Sequence, residues 1–139
     1  MPFVFICFLI HVYSCFMRVL AIDHGSKRIG LAVGDTEHGV ATPLKSCAAR
    51  EAMGEIPRVI QQEGIGRVVI GLPLTLAGEH GSQVEVVKRF ARELSQEISA
   101  PAEFFDERLT TKAAWHHGQK DPDASAAALL LNDWFEAQK

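Results

Sequence analysis

The chain has 139 residues, of which 47% are apolar, and this size suits one α/β domain rather than two. The formal net charge of -3 excludes the strongly basic composition that usually signals nucleic-acid binding. A role on nucleic acid would therefore depend on a local basic patch or on metal ions. The three cysteines lack the spacing of a metal site or a disulfide framework, which favours a reducing, cytoplasmic compartment.

The first sixteen residues, MPFVFICFLIHVYSCF, contain no Lys, Arg, Asp or Glu. The run is shorter than the roughly 20 apolar residues of a membrane-spanning helix. It also lacks the basic leader and the clear cleavage site of a signal peptide, although a signal segment stays the alternative. We expect residues 1–16 to be an extension outside the native domain, translation to start at Met17, and the domain to cover 17–139 without a membrane partner.

Two strands are predicted first, at 18–23 and 27–34, joined by a hairpin turn with the sequence HGSK. Gly25 is available there for a positive φ. The stretch VATPLKS is a weaker third strand, and Pro43 places it at a sheet edge.

Strand and helix patterns then alternate along the chain. Apolar residues at helical spacing predict a helix that Gly64 ends, and the apolar run RVVIG predicts a strand covered on both faces. Ser82 and Glu85 form a capping-box pattern that predicts the start of the next helix. The short strand AEFF follows, and Asp123 is predicted to open the last helix.

This order predicts a mixed central sheet with antiparallel first strands, then parallel βα units, and helices on both faces. Ligands of open α/β sheets gather beyond the carboxyl ends of strands. Asp23, the GLP loop and the DER segment all lie at such ends.

Acidic residues at these ends suggest a metal site. Clustered carboxylates repel one another, and a divalent cation such as Mg²⁺ removes that penalty with two or three oxygen ligands. Two such ions could hold the attacking water and the leaving oxygen of a phosphodiester. We interpret Asp23 as a metal ligand on this basis.

The pattern alone leaves structural alternatives open for each acid. Asp23 could instead begin an Asx-type turn. Asp106 and Glu107 are adjacent and would point to opposite faces of a strand, so that spacing cannot choose between them. Asp123 follows Pro122 and suits an ordinary helix N-cap.

Four segments together resemble the YqgF family of pre-16S rRNA nucleases, which have an RNase H-like fold. The segments are AIDHGSKRIGLAVGD, VVIGLPLTLAGEHG, DERLTT and DASAAALLL, which stand in the order of that family and cover nearly all of 17–139. The resemblance implies a cytosolic nuclease that depends on Mg²⁺ or Mn²⁺ and acts on RNA, as pre-16S rRNA or a pre-ribosomal particle. Its catalytic and metal-binding acids fall on Asp23, Glu107 and Asp123.

The connection KAAWHHGQKDP is shorter than is usual for that family, so Asp121 is an alternative third ligand. A displaced ligand would give a non-catalytic module that binds nucleic acid or assembling ribosomes. The kinship of the family with Holliday junction resolvases offers branched DNA as a second substrate. That reaction needs a homodimer, whereas RNA cleavage is compatible with a monomer.

Six further positions are predicted to bind substrate. Lys27 and Arg28 would hold a phosphate or form a solvated turn. Arg108 would stabilise transition-state charge or pair with Asp106. The remaining three would shape the approach of the nucleic-acid backbone or support the site, with an ordinary loop or a helix cap as alternatives: Gly71, Pro73 and Thr110.

Overall fold

The structure is a computed structural model that describes residues 16–73, 81–107 and 120–139. Within these ranges, five strands form one sheet and three helices pack on it. The strands are β1 (Arg18–His24), β2 (Arg28–Asp35), β3 (Ala41–Ala48), β4 (Ile65–Leu72) and β5 (Ala102–Asp106), and the helices are α1 (Ala52–Glu63), α2 (Ser82–Glu97) and α3 (Pro122–Ala137).

The sheet has the strand order β3-β2-β1-β4-β5. β1 and β3 run antiparallel to β2, whereas β4 is parallel to both β1 and β5. The predicted mixed topology is therefore confirmed. β3 lies at an edge, as Pro43 indicated, and the pairing shifts beside this proline, so that Leu44 has no partner on β2.

Helices cover both faces of the sheet, because successive apolar side chains of its strands point to opposite faces. Leu20 and Ile22 of β1 point into a core with α1 and α2. Val19 and Ala21 point into a second core with α3, which supplies small alanines as well as larger side chains. This alternation assigns every later position of β1 to one of the two faces.

At the turns and helix ends, the structure differs from three predictions made from the sequence. Gly64 ends α1 with a φ of 62°, as expected, but Gly25 does not have a positive φ. Gly25 is needed for space, since a Cβ there would lie 2.6 Å from the carbonyl oxygen of Arg28. The predicted capping box is wrong, because Gly81 is the N-cap of α2 and Ser82 already lies inside the helix.

The third correction concerns the last helix. α3 begins at Pro122, and Asp121 is its N-cap, so the alternative of Asp123 as a cap is wrong. Residues 1–15, Arg108 and Thr110 lie outside the described residues, and the predictions made for them stay predictions. Over the described ranges, none of the helices combines the length and apolar character needed to span a bilayer.

Candidate active site

Asp23 occupies the carboxyl end of β1 and is half-buried. It is paired with Gly30 of β2. The alternation of β1 places its side chain on the same face as Val19 and Ala21, which is the face covered by α3. A charged side chain thus stands where the apolar face of the strand ends.

The first turn of α3 lies directly on Gly30. A Cβ built on Gly30 would overlap the carbonyl oxygen of Asp123 and crowd the nitrogen of Ala124. The absence of a side chain at Gly30 therefore allows the backbone of Asp123 to rest on the sheet, one strand away from Asp23. Neighbouring strands lie about 5 Å apart, so the two acids belong to the same small region.

Glu107 approaches Asp23 from the other side. Gly71 follows Ile70, the β4 partner of Ile22, and so continues the register to the level of Asp23. A Cβ at Gly71 would lie 2.5 Å from the Oε1 atom of Glu107. The carboxylate of Glu107 thus covers the bare backbone of β4 on the α3 face.

The three predicted acids are therefore brought to one end and one face of the sheet, and we call them the sheet-end acids: Asp23, Glu107 and Asp123. Their ligand atoms do not all lie within 4.8 Å of one another. Among the described residues one group of three candidate ligands does meet that distance, and we call it the turn cluster: Asp35, Glu37 and His38.

The turn cluster lies at the opposite end of the sheet, since Asp35 pairs with Arg18 at the start of β1. Asp35 accepts hydrogen bonds from the backbone N–H of His38 at 2.7 Å and contacts its Nδ1 at 2.9 Å. The backbone hydrogen bond, more than the ring, holds the pKa of the Asp35 carboxyl below its ordinary value. The sequence reasoning missed this cluster, although the local segment DTEH was a visible signal.

Asp123 is paired with Arg28, whose Nε lies 3.4 Å from its Oδ2 atom. The same guanidinium donates to the hydroxyl of Ser46 at 2.6 Å. Arg28 thus supplies positive charge beside the sheet-end acids and reduces the repulsion among them. The side chains of Arg28 and Asp123 are 56% and 40% exposed, so this pair contributes little to stability.

Asp121 is the N-cap of α3. Its Oδ1 accepts from the backbone nitrogen of Ala124 at 3.1 Å. Partial burial would raise the pKa of Asp121, but hydrogen bonds from Ala124 and Ser46 and the charge of Arg28 hold it below the ordinary value. These contacts favour Asp123 over Asp121 as the acid that faces the site.

The other predicted positions are distributed around this end. Lys27 is exposed in the hairpin turn, and Pro73 follows the end of β4. Gly71 lies inside β4 rather than in the loop, so its interpretation as a loop residue is wrong. Its lack of a side chain makes room for Glu107 instead.

His24 is a neighbour that sequence reasoning did not single out. It follows Asp23 and therefore faces the opposite side of the sheet, where its ring lies 4.7 Å from that of Phe90. Burial lowers the pKa of His24. Gln83, in the first turn of α2, donates to its carbonyl oxygen at 3.5 Å, so α2 begins close to the carboxyl end of β1.

The mixed sheet with helices on both faces defines an RNase H-like domain. RuvC from Thermus thermophilus, solved in complex with a Holliday junction substrate, has the same fold, with a TM-score of 0.60 at 15% identity over 88% of this chain and 96% of RuvC. The sequence model of the RuvX family, described as Holliday junction resolvase, matches residues 17–137. The chain belongs to this nuclease family, which confirms the resemblance to YqgF.

Relatives of high similarity agree with that assignment. A protein of Chloroflexus aurantiacus named "Putative pre-16S rRNA nuclease" is 42% identical, with 87% of this chain and 88% of the relative covered. A protein of the same name from Maridesulfovibrio salexigens is 37% identical over 86% of this chain and 98% of the relative.

Proposed function

We propose that this protein is a metal-dependent nuclease that hydrolyses phosphodiester bonds of RNA in the maturation of pre-16S rRNA. One observation carries the proposal. Acids from three separate parts of the chain stand at one end and one face of the sheet. Gly30 and Gly71, which have no side chains, leave room for two of these acids, Asp123 and Glu107.

The donor set suits Mg²⁺ or Mn²⁺, because hard divalent cations prefer carboxylate oxygens and keep several waters. Asp23 stands between the other two acids and would contact both ions, with Glu107 and Asp123 each completing one side. Bound ions would supply an activated water and stabilise charge on the leaving oxygen.

The remaining residues of the site act on charge and position. Arg28 is paired with Asp123 and would bind a substrate phosphate once Asp123 coordinates a metal ion instead. Lys27, next to Arg28 in the chain, is exposed in the hairpin turn. Arg108 and Thr110 would assist from the segment that follows Glu107. These residues would provide local positive charge in a chain whose overall charge is negative.

RNA is the preferred substrate because relatives that match 87% and 86% of this chain carry the pre-16S rRNA nuclease name. The decisive experiment compares Asp23→Asn with the wild type on a pre-16S rRNA fragment in Mg²⁺ or Mn²⁺. We expect wild-type cleavage that disappears without metal and in the variant. Glu97→Gln, an exposed change on α2, is the matched control and should cleave normally.

A second candidate function is resolution of branched DNA, favoured by the description of the family model. It requires two active sites and hence a dimer. Cleavage of a four-way junction by a dimeric preparation that leaves RNA intact would establish this function in place of the first.

The distances among the sheet-end acids motivate a third candidate, a binding module without catalysis. Calorimetric titration with Mn²⁺ separates it from the two nucleases. The nuclease proposals require a heat of binding that Asp23→Asn removes, whereas a silent titration would support the module.

A further inference from the structure

A groove of about 440 Å³ lies between α2 and β5, away from the sheet-end acids. β5 is the edge strand of the described sheet, so the groove is open on one side. We call it the α2–β5 groove, and its lining includes Lys88, Arg92, Glu103 and Phe104.

Lys88 and Arg92 form one wall of the groove with two positive charges. They stand one helical turn apart, at positions i and i+4, where like charges repel each other. Among the described residues, neither side chain makes an ion pair. An anion in the groove would relieve this repulsion.

The acidic side chain of the groove is already neutralised. Glu103 accepts from the Nη1 atom of Arg67 at 3.0 Å. The lining is therefore positive in sum, in a chain whose net charge is -3. This local contrast argues for an anionic occupant of the groove.

Phe104 provides the floor of the groove and is 41% exposed. Phe104 lies in β5 and pairs with Ile70 of β4, which places its ring on the face of the sheet that carries α2. An exposed aromatic ring beside two cations is the combination that binds single-stranded nucleic acid, because bases stack on the ring and phosphates contact the charges. A base in a duplex has no free face to offer.

We infer that the α2–β5 groove binds a single-stranded segment of the RNA substrate, with Lys88 and Arg92 on successive phosphates and Phe104 stacked on a base. This inference rests on the proposed function for the identity of the nucleic acid. The groove lies on the α2 face beside the edge strand β5, whereas the sheet-end acids lie on the α3 face at the carboxyl end of the strands. A strand bound in the groove would therefore pass around the edge of β5 to reach them.

The test measures binding separately from cleavage. The whole protein is titrated without divalent metal against a short fluorescent single-stranded RNA, and anisotropy is recorded at several salt concentrations. Lys88→Ala and Arg92→Ala should each weaken binding and reduce the slope of log affinity against log salt by about 0.7, the value of one phosphate contact on a single strand.

Arg89→Ala is the matched control, because Arg89 lies on the same helix but does not line the groove. Its effect should be clearly smaller. Phe104→Leu keeps an apolar side chain at the edge strand while removing the ring, and it should weaken binding about tenfold without changing the salt slope.

Three results would overturn the inference. These are equal losses in Lys88→Ala and Arg89→Ala, unchanged binding in Phe104→Leu, and tighter binding of duplex than of single-stranded RNA. Failure of the proposed function has a different signature, because Asp23→Asn would then cleave like the wild type whatever the groove binds.

Discussion

The two ends of the central sheet carry acidic groups that are built in opposite ways. The three residues of the turn cluster lie within four consecutive positions, 35–38, and their ligand atoms lie within 4.8 Å of one another. The sheet-end acids come from one strand end, the residue after another strand and the first turn of the last helix, and stand less tightly together.

The difference shows that close spacing of carboxylates is weak evidence for function. Local chain geometry alone places the turn cluster, and hydrogen bonds within it satisfy Asp35. The sheet-end acids need the whole fold to meet, and two strand glycines accommodate them. Bringing carboxylates from distant segments close together costs free energy because they repel one another, and a bound cation would offset that cost.

The largest expected effect is on cleavage and separates the two ends by matched changes. Glu107→Gln should lower the rate of RNA cleavage by at least about a hundredfold, because a neutral amide is a poor ligand for a hard cation. Glu37→Gln in the turn cluster should leave the rate unchanged. Single-turnover assays at saturating Mg²⁺ measure both, and a comparable loss in Glu37→Gln would move the active site to the other end.

The next effect concerns the glycine beneath α3. Gly30→Ala should destabilise the fold by about 2 kcal/mol or more, because its Cβ meets helix backbone that cannot rotate away. Gly54→Ala is the control inside helix α1, where a Cβ has nothing within 4 Å. It should stabilise by up to roughly 1 kcal/mol.

Urea unfolding gives both values. If Gly30→Ala proved as stable as the wild type, α3 would not be seated on β2 as described, and the approach of Asp123 to Asp23 would lose its structural cause.

A smaller effect is expected at the cap of α3. Asp121→Ala should cost about 1 kcal/mol at neutral pH through the lost N-cap. The pKa of Asp121 is lowered in the folded state, so its charge stabilises the fold above the ordinary pKa of an aspartate. This electrostatic contribution to stability is lost as the pH falls through the lowered pKa of Asp121.

Stability measured at pH 7 and again near pH 3 should therefore show a gap between wild type and Asp121→Ala that narrows in acid. Asp121→Asn is the control, since asparagine is also a good N-cap and should retain most of the stability at pH 7. A gap that widens in acid would contradict the assigned contacts.

Much of the fold could be predicted because its signals are local. The two first strands, the edge position implied by Pro43 and the helix stop at Gly64 each follow from a few neighbouring residues. The caps were harder. Asp121 and Asp123 are both good caps, and only the packing of α3 on the sheet decides which residue enters the helix first.

The candidate site divides in the same way. The sequence pattern and the family resemblance picked out the acids one by one. Their meeting at one site was predicted from the strand ends and the family resemblance. The backbone contacts that seat them could not be predicted, because Gly30 meets Asp123 and Gly71 meets Glu107 across distant segments of the chain. The α2–β5 groove likewise requires Phe104 and Lys88 to be brought together by the fold.

The smallest expected effect lies in the turn cluster itself. Asp35→Asn should cost about 0.5 kcal/mol or less at neutral pH, because the contact with the ring of His38 is at the surface and asparagine can still accept the backbone hydrogen bond. The pKa of Asp35 is lowered in the folded state, so this small term is present above the ordinary aspartate pKa and fades as pH falls through the lowered value. Chemical denaturation at pH 7 and near pH 3 checks it, with RNA cleavage measured on the same preparation. A fall in cleavage with so small a change in stability would mean that the turn cluster takes part in the reaction, and the contrast between the two ends of the sheet would then fail.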